Sequence, residues 1–133
     1  MHTLLIDEDP TVVFITERLF QREGMTERIT SFQSPAEGVA YLREQALAGT
    51  PPRVVLLDLN MPLPSGWDVL EAVKPLGALW LNRCAVYVLT SSLVLADTVR
   101  AQMHPLVVKF LSKPLHQNHI KAIQAQVWGK RMA

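Results

Sequence analysis

The sequence predicts an α/β fold in which a five-stranded parallel sheet is covered by helices on both faces. Three observations lead to this prediction. Short apolar segments alternate with longer helical patterns along all 133 residues, which is typical of βαβ units. The run 54–57 is continuously apolar, as expected for a strand that is buried on both faces of a parallel sheet. The spacing of the other apolar runs leaves room for right-handed crossover helices between parallel neighbours.

Five short segments rich in aliphatic and β-branched residues are predicted as strands. The third runs into a carboxylate, Asp58, and is followed by two prolines, Ser65 and Gly66, which favour a turn. The second contains arginine, threonine and serine and is the weakest of the five. The predicted strands span residues 3–6, 28–32, 54–57, 84–89 and 107–111.

Each predicted strand is followed by a helix, and three of the helices carry clear boundary signals. Asp9 suits the N-cap of the first, and Gly24 lies where that helix should end. Ser34 and Glu37 form a capping-box pattern at the start of the second. Pro75 must end or kink the third. The predicted helices span residues 10–23, 35–47, 67–74, 93–103 and 116–128.

Polar side chains that can bind or react follow four of the predicted strands. Asp7 and Glu8 follow the first strand, Asp58 the third, Thr90 the fourth and Lys113 the fifth. The carboxyl ends of parallel strands lie at one edge of the sheet, where open α/β sheets bind their ligands. We therefore expect these side chains to converge, although they are scattered in the sequence.

The expected constellation suits phosphoryl transfer. Three carboxylates in a partly desolvated cleft repel one another, and a hard cation such as Mg²⁺ relieves that repulsion. A hydroxyl and an ammonium group on the other side can bind the remaining oxygens of a phosphoryl group. Together these groups predict that Asp58 acts as a nucleophile and forms an aspartyl phosphate.

Four motifs extend this interpretation to a family. They are the acidic pair in LLIDED, Asp58 in LLDLNMPLPSG, Thr90 in VLTSS and Lys113 in FLSKP. With these motifs in this order, the chain resembles the receiver domain of two-component response regulators along essentially its whole length. The resemblance implies a flavodoxin-like sheet with the strand order 2-1-3-4-5. It also implies that the phosphoryl donor is a histidine kinase or a histidine phosphotransfer protein.

The resemblance further implies a role for each residue of the site. Asp58 would be the phosphoacceptor, and Thr90 and Lys113 would contact the phosphoryl group. Mg²⁺ would be bound by Glu8, Asp58 and the Asn60 backbone carbonyl, with a water-mediated contact from Asp7. Thr90 and Phe110 would form a switch, and Asn60 and Ser92 would control the lifetime of the phosphoryl group. A cis peptide is implied between Lys113 and Pro114. Such a protein phosphorylates and dephosphorylates itself with Mg²⁺ but is not an enzyme with an external substrate.

Two other functions compete with this one. A phosphatase that forms an aspartyl phosphate would need a second acid two residues after Asp58, where this chain has Asn60, which cannot deliver a proton. A receiver-like adaptor that works without phosphorylation remains open because Glu8 stands where aspartate is commoner in the family. A dinucleotide-binding function is excluded because the first turn is acidic and lacks the required glycines.

Composition sets the remaining expectations. A net charge of +1 without a dense basic patch argues against nucleic acid as a partner. Cys84 is the one cysteine, so no internal disulfide can form and a reducing compartment is expected. Signal-peptide and membrane-spanning patterns are absent from the sequence. We therefore expect a cytoplasmic protein with one receiver domain over residues 1–133 and no effector domain. It would act as a monomer or a phosphorylation-dependent dimer and signal to an unknown downstream protein through its own surface.

Overall fold

The computed structural model describes residues 2–24, 29–61, 65–77, 83–91 and 95–132, with the backbone alone for 95–98 and 127–132. The strands are β1 (Thr3–Ile6), β2 (Ile29–Phe32), β3 (Val54–Asp58), β4 (Ala85–Thr90) and β5 (Val107–Ser112). The helices are α1 (Pro10–Arg22), α2 (Pro35–Leu47), α3 (Gly66–Val73), α4 (Leu95–Met103) and α5 (Gln117–Met132). A 3-10 turn, Lys74–Leu76, follows α3.

The strands form one parallel sheet in the order β2-β1-β3-β4-β5. This confirms the predicted flavodoxin-like α/β fold. The central strand β3 is buried along its whole length, which explains why its sequence is apolar without alternation. The edge strand β5 is largely half-buried or exposed, and its pairing with β4 skips Val108.

Two apolar clusters cover the two faces of the sheet. Val55 and Leu57 of β3 belong to the cluster on the side of α2 and α3. Val54 and Leu56 belong to the cluster on the other side, with side chains from α1 and α5. Burying each such side chain contributes about 1.5–3 kcal/mol relative to leaving it exposed. The central strand is therefore held firmly from both sides, and its carboxyl end is a rigid platform.

The helix starts follow local sequence signals, and one of these signals was missed. Asp9 caps α1 as predicted, since its carboxylate accepts a hydrogen bond from the N–H of Thr11 at 2.9 Å. Ser34 accepts one from Glu37 at the start of α2. A capping box with both reciprocal bonds begins α3, where Ser65 and Asp68 bond each other. The prediction started this helix one residue late because aspartate replaces the usual glutamate or glutamine of the motif.

The other boundaries match the prediction, differ from it by one residue or lie outside the described residues, except that the last helix continues to Met132 instead of ending at Trp128. The strands β3 and β4 each end one residue later than predicted, so Asp58 and Thr90 belong to the sheet itself. Pro75 ends α3 in a 3-10 turn, as its missing N–H requires. The predicted start of the second strand at Arg28 and of the fourth helix at Leu93 lie outside the described residues. No helix in the described ranges combines the length and apolar character needed to cross a membrane.

Gly66, the first residue of α3, touches the end of β3. A Cβ atom at this position would lie 2.6 Å from the Cα of Leu59 and closer still to the carbonyl oxygen of Asp58. Both neighbours are backbone atoms, which cannot rotate away. At Gly77 the contact of an added Cβ atom among the described residues would be a methyl of Leu106, at an ordinary 3.7 Å.

We expect Gly66→Ala to destabilise the protein by about 1–3 kcal/mol, because the added methyl group overpacks the backbone of β3. The matched variant Gly77→Ala should leave the stability unchanged or raise it by up to about 1 kcal/mol, because alanine restricts the unfolded chain. Urea denaturation of both variants measures the difference. Equal urea midpoints for the two variants would show that the backbone at the contact between α3 and β3 accommodates the methyl group without loss of stability.

Candidate functional site

Three of the predicted site residues meet at the carboxyl edge of the sheet. The Nζ atom of Lys113 lies 2.9 Å from Oδ2 of Asp7 and 3.1 Å from Oδ1 of Asp58. Asp7 is fully buried and Asp58 is 4% exposed. The peptide between Lys113 and Pro114 is cis, as the resemblance implied. One ammonium group therefore serves two buried carboxylates that come from adjacent strands.

Backbone hydrogen bonds hold the two carboxylates in place. Oδ1 of Asp7 accepts from the N–H of Asp9, and Oδ1 of Asp58 accepts from the N–H of Asn60, both at 2.9 Å. Oδ2 of Asp7 is buried, and within the described ranges its one partner is the ammonium group of Lys113. A buried carboxylate oxygen with only this partner is under-satisfied, so the site has unused capacity for a further positive group.

The pKa shifts of Asp7 and Lys113 reflect burial and the pairing of these groups. Burial raises the pKa of Asp7, and the charge of Asp58 adds to the rise. The hydrogen bonds from Asp9 and Lys113 oppose it without cancelling it. Burial on its own lowers the pKa of Lys113, but its hydrogen bonds to the two aspartates and their charges outweigh burial and raise it. The Lys113 ammonium group is thus firmly protonated, while burial keeps the pKa of Asp7 above its usual value.

The Asn60 side chain joins the end of β3 to the end of β4. Its Oδ1 atom accepts hydrogen bonds from the hydroxyl of Thr90 at 3.2 Å and from the N–H of Ser91 at 2.8 Å. The carbonyl of Thr90 in turn accepts from the N–H of Lys113 at 2.9 Å. For Asn60 the resemblance implied a metal contact through the backbone carbonyl and control of the phosphoryl lifetime. No sequence signal identifies this side-chain contact, because it depends on how two loops approach each other.

The second predicted switch residue is placed away from the carboxylates. Phe110 is half-buried and packs against the cluster on the side of α2 and α3, and it is registered with Val88 of β4.

On the same side, the guanidinium group of Arg100 lies over the ring of Trp67 at 4.1 Å from its centroid, which joins α4 to α3. Ser92 lies outside the described residues, so its role stays a prediction.

The residues present fit Mg²⁺ only in part. Within the described ranges, no three histidine, cysteine or acidic side chains form a group that could hold a metal ion. Glu8 is half-exposed and does not complete such a group with Asp7 and Asp58. The donor chemistry nevertheless suits a hard cation, since the available groups are oxygen ligands and one of them is under-satisfied. The predicted roles of Glu8 and the Asn60 carbonyl as ligands stay predictions.

In the absence of divalent cations, we expect Asp7→Asn to raise the free energy of unfolding at pH 7 by about 1 kcal/mol. Substitutions at a functional site often stabilise a protein in this way, because the site is not optimised for stability. Because the pKa of Asp7 is raised in the folded state, its ionised form costs stability. The advantage of the variant should be absent well below the usual pKa of aspartate and grow as the pH rises. Urea denaturation across that range measures it.

The control for this prediction is Asp9→Asn, an isosteric change two residues away. Asparagine is as good an N-cap as aspartate, so the stability of this variant should stay close to that of the wild type. If Asp7→Asn is less stable than the wild type at pH 7, the ion pair with Lys113 outweighs the burial of the charge.

Comparisons with known proteins agree with this geometry. The family model of the response regulator receiver domain matches residues 3–125. The probable methanogenesis regulatory protein FilR2 of Methanothrix harundinacea (strain 6Ac) is 34% identical over 89% of this chain and 75% of its own length. A two-component response regulator from Cytophaga hutchinsonii has a TM-score of 0.88 at 30% identity, covering 96% of both chains. A response regulator receiver protein from Dyadobacter fermentans, at 24% identity, has a TM-score of 0.84 over 96% of this chain and 98% of its own. The chain therefore belongs to the response regulator receiver domain family of two-component signalling.

Proposed function

We propose that this receiver domain accepts a phosphoryl group on Asp58 and signals by changing its affinity for a partner protein. The observation that carries the proposal is the asymmetry of the Asp58 carboxylate. Oδ1 holds both the contact with Lys113 and the hydrogen bond from Asn60. Among the contacts of the described residues, none is directed to Oδ2, which leaves this oxygen as the nucleophile.

The proposed step is an in-line displacement at phosphorus. A bond forms between Oδ2 of Asp58 and the phosphorus atom, while the bond from phosphorus to the donor's nitrogen or oxygen breaks and its electron pair leaves with the donor. Lys113 is positioned to balance the added negative charge, and Thr90 can donate its hydroxyl proton to a phosphoryl oxygen. Mg²⁺, when bound, would neutralise charge on the transferred group. Asp7 and Asp58, with Glu8 and the Asn60 carbonyl, are the groups proposed to hold it.

The proposed donor is the phosphohistidine of a histidine kinase or a histidine phosphotransfer protein, in the cytoplasm. Such a donor has to approach the edge of the sheet where α1 begins. Phe14 and Ile15 of α1 are 62% and 44% exposed, and exposed apolar side chains of this size favour protein contacts. Val99 and Met103 of α4 and Val108 of β5 are also exposed. They offer a separate apolar surface for a downstream protein or for a second copy in a phosphorylation-dependent dimer, with no nucleic acid involved.

One observation favours a second candidate, the phosphorylation-independent adaptor. The acidic side chains do not form a preassembled metal site within the described ranges, and Glu8 stands where aspartate is commoner in the family. A receiver that cannot bind Mg²⁺ would not be phosphorylated efficiently and would act through its surfaces alone. The two experiments that follow separate these functions.

With acetyl phosphate and Mg²⁺, the wild type should gain the mass of one phosphoryl group, and Asp58→Asn should gain none, because the amide is not a nucleophile. Intact-mass spectrometry measures the change. Asp9→Asn, which alters only an exposed helix cap, should be modified like the wild type. An unmodified wild type would favour the adaptor, and a modified Asp58→Asn would move the phosphoryl group to another residue.

Glu8→Gln should weaken Mg²⁺ binding strongly, because a neutral amide is a much poorer ligand for this ion than a carboxylate. Glu8→Asp should keep or improve binding, since the shorter arm loses less side-chain freedom when it is ordered. Isothermal titration of the wild type and both variants measures these affinities. Three equal affinities would show that Glu8 is not a ligand.

A further inference from the structure

A single side-chain oxygen at the site collects three hydrogen-bond donors. Oδ1 of Asn60 accepts from the hydroxyl of Thr90 at 3.2 Å and from the N–H and the hydroxyl of Ser91 at 2.8 and 3.3 Å. The backbone N–H of Ser91 can only donate, so the atom that faces it must be the oxygen of the amide. The orientation of the Asn60 side chain is therefore determined by its neighbours.

Asn60 also lies within a closed ring of contacts around the phosphoacceptor. Its N–H donates to Asp58, and its side chain accepts from Thr90. The carbonyl of Thr90 accepts from the N–H of Lys113, whose ammonium group returns to Asp58. A change at Asp58 can thus reach Thr90 by two routes. The route through the Asn60 side chain is the one that substitution can remove while leaving the backbone intact.

We propose that the Asn60 side chain is a positioning residue that holds Thr90 and Ser91 in the resting arrangement until Asp58 is phosphorylated. This inference rests on the proposed function. The hydroxyl of Thr90 has one proton to donate, and here that proton is directed to Asn60. To donate to a phosphoryl group on Asp58, Thr90 must release Asn60. A charged phosphoryl oxygen is a stronger acceptor than a neutral amide, so phosphorylation favours the exchange, and without it Thr90 stays bound.

This restraint should be weak enough to be reversible. Asn60 and Ser91 are exposed, so water competes for their hydrogen bonds. Losing such bonds should change the equilibrium between resting and switched forms by about two- to tenfold. A restraint of this size lets the unphosphorylated protein sample the switched form as a minor population and lets a phosphoryl group reverse the balance. This role differs from control of hydrolysis, because it acts before any phosphoryl group is present.

The test compares Asn60→Leu, which keeps a similar shape but removes the acceptor, with Asn60→Asp, which keeps an acceptor oxygen. Amide hydrogen exchange of unphosphorylated protein measures protection of the Ser91 N–H. We expect exchange at Ser91 to be about two- to tenfold faster in Asn60→Leu than in the wild type. In Asn60→Asp the protection should be retained, since a carboxylate oxygen accepts the same bond.

A second measurement follows the switch itself. Amide chemical shifts of the wild type are measured without and with beryllofluoride, a mimic of the phosphoryl group. For each resonance they define a resting position, a switched position and the line that joins them. The resonances of unliganded Asn60→Leu should move along this line toward the switched positions. Thr90→Val removes the hydroxyl and keeps the shape of the side chain. If Asn60 acts through Thr90, adding Asn60→Leu to Thr90→Val should produce no further movement along the line.

The outcomes separate this inference from the proposed function. If the wild type does not bind beryllofluoride, the proposed function is overturned and the restraint with it. If the wild type binds it and Asn60→Leu shows resting shifts or unchanged Ser91 exchange, the restraint alone is overturned. Equal movement caused by Asn60→Leu with and without the Thr90 hydroxyl would also overturn it, because Asn60 would then act only as a structural residue of the loop.

Discussion

The structure depends on the ammonium group of Lys113, which lies between the carboxylates of Asp7 and Asp58. Two buried carboxylates at neighbouring strand ends would repel each other, and burying unpaired charges is very costly. One cation pairs with both carboxylates, and burial nevertheless raises the pKa of Asp7. In the proposed function, a metal ion would bind beside these carboxylates and Oδ2 of Asp58 would serve as the nucleophile.

The fold makes this strained arrangement stable by holding the central strand from both sides. Residues of β3 alternate between two apolar clusters, so the strand cannot shift to relieve the repulsion at its end. The close contact between Gly66 and the backbone of Asp58 and Leu59 fixes the start of α3 against the same strand. The stability that core packing provides thus offsets part of the cost of burying the carboxylates at the site.

Two side-chain contacts join α4 to α3. Arg100 stacks on Trp67 of α3, and His104 at the end of α4 pairs with Glu71 of α3 at 3.4 Å. The helix follows the Thr90 and Ser91 end of β4 and carries the exposed Met103. Both contacts fix the orientation of α4, and with it the position of the exposed Met103 side chain, relative to α3.

The sequence by itself determined the fold and which polar side chains lie at the strand ends. Hydrophobic pattern and helix signals placed Asp7, Asp58, Thr90 and Lys113 at strand ends, and the parallel sheet then had to bring them to one edge. The cap at Asp9 was equally predictable because its hydrogen bonds are local. Only the tertiary structure decided how these groups are paired. The contact of Asn60 with Thr90 spans 30 residues, and the approach of Gly66 to β3 is set by the packing of a helix on a strand. Such distances follow from the way loops and layers meet in three dimensions, which no pattern along the chain records.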